Sequence, residues 1–483
     1  MLRSLLSRSK FEPPPHTGLP GLPDGWRYER LRTVAELRVS GVNKLSVSDE
    51  DPVRLCNYTD VYKNDYIVDG RGYMRATATH AEIARFRLEH DDVVITKDSE
   101  TWNDIAVPAY VAYAAPDFVC AYHLAILRTR KAVLLGSYLH HALREPSIAN
   151  QFHLAAGGVT RFGLTQGAIK SALVPVPPLG EQSLIVKYLG HAHARIDRAI
   201  AAKRKLIALL EEQKQAIIHH AVTRGLDPSV PLKDSGIPWL TEIPAHWDSV
   251  PLSRCFASMV YGTSENARGD GPVTVIGMGD IRAGEVRVTG AGGLDAVPVG
   301  LELEPGDLLF NRTNSPSLVG KVGLYRNARR EDVSFASYLV RLRPLAGFTS
   351  EWLVALLNSP DFLRFAQGQA LMSLHQANLN PRRYGRLTIP VPPVGERAEI
   401  AAALEGMVVT ELKAISTVST EIRLLQEFRV RLTSDVVTGQ IDVREIAATL
   451  PELTDDALRT GDDLAGEDSD VDISAFEVDG ADD

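Results

Sequence analysis

The sequence predicts a mixed α/β (α+β) chain made of two globular domains, each followed by a long helix, and three observations predict it. The closing run Pro175-Val176-Pro177-Pro178-Leu179-Gly180-Glu181 recurs as Pro390-Val391-Pro392-Pro393-Val394-Gly395-Glu396, 215 residues later. The same offset holds without gaps from about residue 89 to 227 and from 304 to 442. Behind each proline run lies a helical periodicity some forty residues long, longer than a typical globular helix. Self-similarity over such a span marks internal duplication.

Taken in chain order, residues 1–18 form an N-terminal extension, and Leu19-Pro-Gly-Leu-Pro23-Asp-Gly-Trp26 leads into the first domain, 19–179. Its apolar runs Val93-Val-Ile95 and Val119-Cys-Ala-Tyr122 are of β type,. Proline cannot continue a helix and suits its first turn, so the Pro-Val-Pro-Pro run ends the domain and a spacer helix, 180–224, follows. The second lead, Gly236-Ile-Pro238-Trp239 through Pro244-Ala-His-Trp247, opens a domain spanning 225–394. Here Trp247 pairs with Trp26 at 221, a register slip of six. Val273-Thr-Val-Ile276 and Leu308-Leu-Phe310 read as strands, and Glu351-Trp-Leu-Val-Ala-Leu-Leu357 as an amphipathic helix. A second spacer helix covers 395–440, and an acidic tail, 441–483, closes the chain.

Within the spacers, Ile200, Ile207, Leu210 and Ile217 fall at heptad spacing, and Ile415, Val418, Ile422, Leu425 and Leu432 keep that register at the 215 offset. Charged flanks such as Lys203-Arg-Lys205 complete the pattern of a coiled-coil seam,. One helix leaves the first domain and enters the second, so two helices pairing along their length must run antiparallel. Forty residues at about 1.5 Å each make a rod of roughly 60 Å, between one and two DNA turns of about 34–36 Å. Two amphipathic helices, each packed on its own domain, are the other reading of the same stripes.

The 483 residues are 45% hydrophobic and 23% charged, a globular composition,. No stretch approaches eighteen uncharged apolar residues, and the N-terminal apolar run is short and broken by Arg, so a cytoplasmic chain without membrane contact is expected,. Cys56, Cys120 and Cys255 are odd in number and widely separated, offering no disulfide framework and no CxxC knuckle,. The net charge of −9 comes from the end: residues 451–483 hold thirteen acids and one Arg. Of 61 acidic and 52 basic residues, the body keeps 48 and 51. The tail has little to bury and reads as disordered, either solubilising or competing for a basic groove.

At this point the residues carry a resemblance. Leu232-Lys-Asp-Ser-Gly-Ile-Pro-Trp through Trp247, Gly306-Asp-Leu-Leu-Phe-Asn-Arg-Thr-Asn-Ser315 with Val319-Gly-Lys-Val-Gly-Leu-Tyr325, and both Pro-Val-Pro-Pro-x-Gly-Glu entries occur in order. Over about residues 20–445 the chain resembles the specificity subunit of type I restriction-modification systems, which defend against phage. The resemblance implies two target-recognition domains, each reading half of a split, asymmetric site in double-stranded DNA. It also implies two docked methyltransferase subunits, with translocase-nuclease subunits joining for restriction. S-adenosylmethionine, ATP and Mg would belong to those partners, with no cofactor in this chain. The first eighteen residues and the extension after about Leu450 depart from the pattern.

The polar segments suit such work. Asn311, Arg312, Thr313, Asn314 and Ser315 directly follow a β-type run, with Lys321 close behind, and read as a loop rich in groups for base edges and phosphates,. The first domain offers Thr96, Lys97, Thr101 and Asn103 there. Arg161, Gln166 and Lys170, and later His375, Gln376, Arg382 and Arg383, form matching polar segments before the proline stops; they touch DNA or merely cap the domain. The copies differ at these places, so the halves are expected to read different sequences.

No GxxxxGK[ST] loop is present, nor an Asn/Asp-Pro-Pro-aromatic segment, nor a carboxylate cluster of nuclease type,. The chain is therefore expected to be non-catalytic. His191 and His193, with His219 and His220, lie on the first helix only, and no metal site is expected,. A methyltransferase or nuclease acting alone lacks its motifs. A coiled-coil scaffold whose duplicated domains bind protein remains the alternative.

Overall fold

The computed structural model describes residues 10–11, 18–265, 271–288, 293–327, 332–373 and 376–452. The tail expected over 441–483 is ordered at its start, where Arg444–Thr449 is a helix with Val443 and Ala447 buried; its remainder beyond Glu452, most of the N-terminal extension and His375 lie outside the described residues. Of the described residues, those up to Arg204 and those from Ser419 onward make one compact unit, and Lys205–Val418 make the other. Each unit therefore takes one body and part of both long helices.

In the first unit a five-stranded sheet runs in the order Ala35–Val39, Leu124–Thr129, Asp92–Thr96, Pro108–Val111, Tyr66–Ile67. Every residue of the central Asp92–Thr96 strand is buried, so its apolar run is continuous rather than alternating. A smaller sheet, Phe118–Cys120, Asp51–Cys56 and Met74–Ala78, packs nearby through Cys56, Phe118 and Cys120. The start of the Pro-Val-Pro-Pro run, Pro175-Val176, ends a strand: Leu173–Val176 pairs antiparallel with Arg27–Arg30 just after Trp26. The domain's beginning and end thus close on one another.

The second unit repeats this plan with changes. Its main sheet has six strands, in the order Phe256–Tyr261, Leu339–Pro344, Leu308–Asn311, Val322–Leu324, Glu285–Val286, Ile281–Arg282. Thr388–Val391 pairs with Asp248–Pro251 just after Trp247. The expected amphipathic helix is present at Ser350–Leu357, burying Trp352, Leu353, Leu356 and Leu357.

The long helices span Leu179–Arg224 and Val394–Val437. In the first unit His193 Nε2 lies 2.9 Å from Thr433 Oγ1, Asp197 Oδ1 is 3.4 Å from Arg429 and Lys203 is ion-paired with Glu421. Residue numbers fall on one helix as they rise on the other, so these segments run antiparallel. In the second unit Ala221 and Val222 share a core with Ile400, Ala401 and Leu404. Ile200, Ile415, Val418, Ile422 and Leu432 are buried, whereas Ile207, Leu210, Ile217 and Leu425 are half-buried. Among the described residues no helix is long and apolar enough to cross a membrane.

Candidate nucleic-acid interface

A buried aspartate paired with a half-buried arginine fixes the strand that feeds each polar segment. Arg128 grips Asp92 through Nε and Nη2, at 2.8 and 2.7 Å, and Arg343 grips Asp307 through the same atoms at 2.7 Å each. Asp92 Oδ2 also accepts from the Glu89 amide and Asp307 Oδ2 from that of Glu304, each at 2.8 Å. Desolvating a carboxylate is costly unless it is paired and hydrogen-bonded, and here both conditions are met twice, 215 residues apart.

Beyond these strands the expected polar loop of the second unit is in fact a strand. Thr313–Asn314 pairs with Gln376–Asn378, which pairs with Leu371–Ser373. The loop reading failed because the partner strand lies some sixty residues on, where sequence-local signals do not reach. In the first unit Asp98–Ser99 pairs with Phe162–Gly163 in the equivalent register. These small sheets join the two groups of polar residues that the sequence offers separately: Lys97 with Arg161, and Arg312 through Ser315 with Gln376.

In the first unit Asp98 gathers nitrogen donors. Its Oδ2 lies 2.9 Å from Lys97 Nζ and 2.7 Å from His123 Nδ1, and Arg161 Nη2 is 3.4 Å from both ring nitrogens of His123. Partial burial would raise the Asp98 carboxyl, but the bonds from His123 and Lys97 outweigh it and hold it below the ordinary carboxylate range,. His123 has a left-handed backbone, φ 62°, unusual outside glycine, and its carbonyl accepts the Lys97 amide at 2.8 Å. Tyr122 lies against the imidazole, ring centroids 3.6 Å apart. Thr101, Asn103, Gln166 and Lys170 are exposed nearby in sequence.

In the second unit the guanidinium of Arg312 stands over the Tyr261 ring, 5.2 Å from its centroid, and donates through Nη1 to the Ser337 carbonyl at 3.2 Å. Its backbone is held on both sides, by the Tyr338 carbonyl at 3.1 Å and the Leu379 amide at 2.8 Å. Arg312 Nε, Asn311 Oδ1 and Thr313 Oγ1 are buried without a partner. Ser315 and Lys321 are half-buried, and Gln376, Arg382 and Arg383 are exposed. Arg383 donates to the Gln369 carbonyl at 2.9 Å, bracing the approach to the outer strand.

Not every candidate is available to a ligand as placed. Thr96 is fully buried, with Oγ1 accepting the Val107 amide at 3.0 Å, and Asn311 and Thr313 are 2% and 6% exposed. A polar residue at the end of a central strand is covered by its neighbours on both sides, which residue type alone does not reveal. His375 lies outside the described residues. Asp98 and Asn378 lie within the polar segments the sequence offers, whereas Tyr122, His123, Tyr261, Tyr338 and Leu371 escaped sequence reading as site residues. The 215 offset carries His123 onto Tyr338 beside the Lys97 and Arg312 positions, a signal that was there to be used.

Residues 23–212 match the family model described as the Type I restriction modification DNA specificity domain. The chain is 22% identical over 331 residues to the specificity subunit of the type I restriction enzyme EcoKI of Escherichia coli strain K12, covering 66% of this chain and 68% of that protein. It is 22% identical over 400 residues to the StySPI specificity subunit of Salmonella potsdam, covering 80% and 82%. A solved chain, described under complex assembly and conformational transition of the type I R-M system, superposes with a TM-score of 0.64 at 17% identity, over 87% of this chain and 99% of that one. The fold is therefore shared with that chain, and in sequence the protein resembles type I restriction-modification specificity subunits.

Proposed function

We propose that this chain is the DNA sequence-specificity subunit of a type I restriction-modification complex, each unit reading one half of a bipartite, asymmetric site. The observation that carries the reading is the recurrence of one polar small sheet in both units with different residues, in a chain whose residues 23–212 match a DNA specificity domain. Internal duplication is supported by bonds that recur in both units: Arg128 to Asp92 with Arg343 to Asp307 at the 215 offset, and Trp26 to Glu181 with Trp247 to Glu396, where the Trp positions are 221 apart and the Glu positions 215. An antiparallel coiled coil is supported by the helix contacts within each unit and by the burial of its seam. On this reading the chain is non-catalytic and cytoplasmic. Methyltransferase subunits dock on its helices, where Leu206, Leu209, Leu424, Phe428 and Val430 stand exposed, while S-adenosylmethionine, ATP and Mg serve those subunits and a translocase-nuclease.

Methylome sequencing of a host carrying the chain with its neighbouring genes tests this. A modified adenine in a two-part motif with a fixed gap is expected, and matched heptad insertions in both helices lengthen that gap without changing either half. Loss of the chain with no change in methylation would remove the proposal. The match of residues 23–212 to a DNA specificity domain favours DNA reading over the scaffold alternative.

A further inference from the structure

We infer that the outward faces of the two small sheets read different base pairs in the major groove, G·C in the first unit and A·T in the second. This rests on the DNA-reading function proposed above. Directly opposed residues of an antiparallel pair share a face, and faces alternate along each strand. In the second unit Thr313 opposes Asn378, Asn378 opposes Leu371, and Ser373 opposes Gln376. All five therefore share one face, and Ala377 lies on the other. Ala377 is wholly buried in the unit's core; on the first face Thr313 is covered at the inner end, but Leu371, Ser373 and Gln376 are exposed and Asn378 half-buried, so that face opens outward toward the outer strand, where Met372 on the other face is exposed as well.

That outward face offers two carboxamides and one apolar side chain. Asn and Gln fork onto the N6 and N7 edge of adenine, and an apolar group meets the C5-methyl of thymine. A two-stranded ribbon is also a shape the major groove admits.

The same face of the first unit has the opposite chemistry. Asp98 opposes Gly163, and Ser99 opposes Phe162; Ser99 is buried, which turns Asp98 outward. Arg161, two residues before Gly163, comes to that side, as its approach to the His123 ring beside Asp98 shows. Gly163 stands where the other unit has Asn378, and a Cβ there would lie 3.1 Å from Asp98 Oδ1. Glycine therefore leaves the carboxylate its room. An Arg fork matches O6 and N7 of guanine, and a carboxylate accepts from the N4 amine of cytosine.

The test is selection from a pool of randomised duplexes by the full chain, co-purified with the methyltransferase subunits it is proposed to carry. Gln376→Ala is expected to relax an A·T position in one half-site, and Arg161→Ala a G·C position in the other, each by roughly 5- to 150-fold in discrimination. Replacing the affected thymine by deoxyuridine removes one methyl and should weaken wild-type binding about fourfold, while leaving Leu371→Ala unchanged. Uniform weakening at all positions would mean phosphate positioning and overturn the inference. So would relaxation at the opposite base type. If the wild-type complex enriches no half-site, the DNA-reading function itself fails, and that is visible before any variant is made.

Discussion

The indole N–H of Trp247 donates to both carboxylate oxygens of Glu396, at 3.1 and 3.0 Å. Trp247 is wholly buried at the domain entrance, and Glu396 sits in the first turn of the second long helix, where the helix dipole favours a negative charge. One contact therefore ties the start of the domain to the start of its helix. Glu396→Ala leaves a buried donor unpaired, at about 1–3 kcal/mol. The thermal midpoint should fall by about 2–4 °C per kcal/mol in a unit of this size, and Glu396→Gln, which keeps an acceptor, should recover much of it. An unchanged midpoint in the alanine variant would show that the bond contributes nothing.

Asp307 has a side chain only 1% exposed and depends on Arg343. Removing one partner of a buried pair strands the other charge, at about 3–5 kcal/mol. Arg343→Met is expected to destabilise by that order in denaturant titration. Arg343→Lys should also fall short, because an ammonium cannot supply the two parallel bonds. The joint variant Arg343→Met with Asp307→Asn should be milder than Arg343→Met alone, and a harsher result would contradict the stranded-charge account.

The first unit should be the acid-labile one. His140, His141 and His193 are buried beside Asp65, Arg144 and Arg429, and burial first, then the neighbouring cations, push all three below the ordinary histidine value, His141 to about 3. Their folded-state pKa values lie below about 6.5, the unfolded value. The unfolded chain therefore binds more protons as pH falls below 6.5, and stability drops by up to about 1.4 kcal/mol per pH unit for each histidine. Asp65, held low by Arg144 and Arg429 against the burial that would raise it, adds a further loss only below its unfolded value of about 3.9,. The second unit has Ala355, Leu356 and Val408 at the 215 offset. Thermal midpoints between pH 7.5 and 5 should fall, and His140→Ala, His141→Leu and His193→Val together should flatten the slope. An equally steep slope in that variant would exclude these histidines.

The long helices were legible because proline stops and a heptad stripe are local signals, and Leu179–Arg224 and Val394–Val437 begin within a residue of where the sequence sets them. The pairing of Asp98–Ser99 with Phe162–Gly163 was not. Two-residue strands have no periodicity, and their pairing is decided by where the main sheet delivers them. Burial of Thr96 and Asn311 was hidden for the same reason. The sequence weighed His193 only as a metal ligand and expected no metal site, and only the antiparallel neighbour brings Thr433 to it. The 215-residue offset held more than was drawn from it, since applied residue by residue it places His123 against Tyr338.

Affinity for the second half-site should also depend on Arg312, one residue before the Thr313–Asn314 strand that carries the carboxamide face. Its guanidinium lies over Tyr261 and is steadied by the Ser337 carbonyl, so the fork is partly ordered before any duplex arrives, and less rotamer freedom is lost on binding. Arg312→Ala is expected to cost about 1–3 kcal/mol on the cognate duplex if the fork meets a base. Arg312→Lys keeps the charge and should restore only the salt-dependent share of affinity. Tyr261→Phe preserves the aromatic face and should bind normally, whereas Tyr261→Ala should weaken the cognate duplex more than a scrambled one. Binding titrations of the assembled complex at two salt concentrations separate these cases. Equal losses on cognate and scrambled duplexes in the Arg312→Ala complex would assign Arg312 to the phosphates instead.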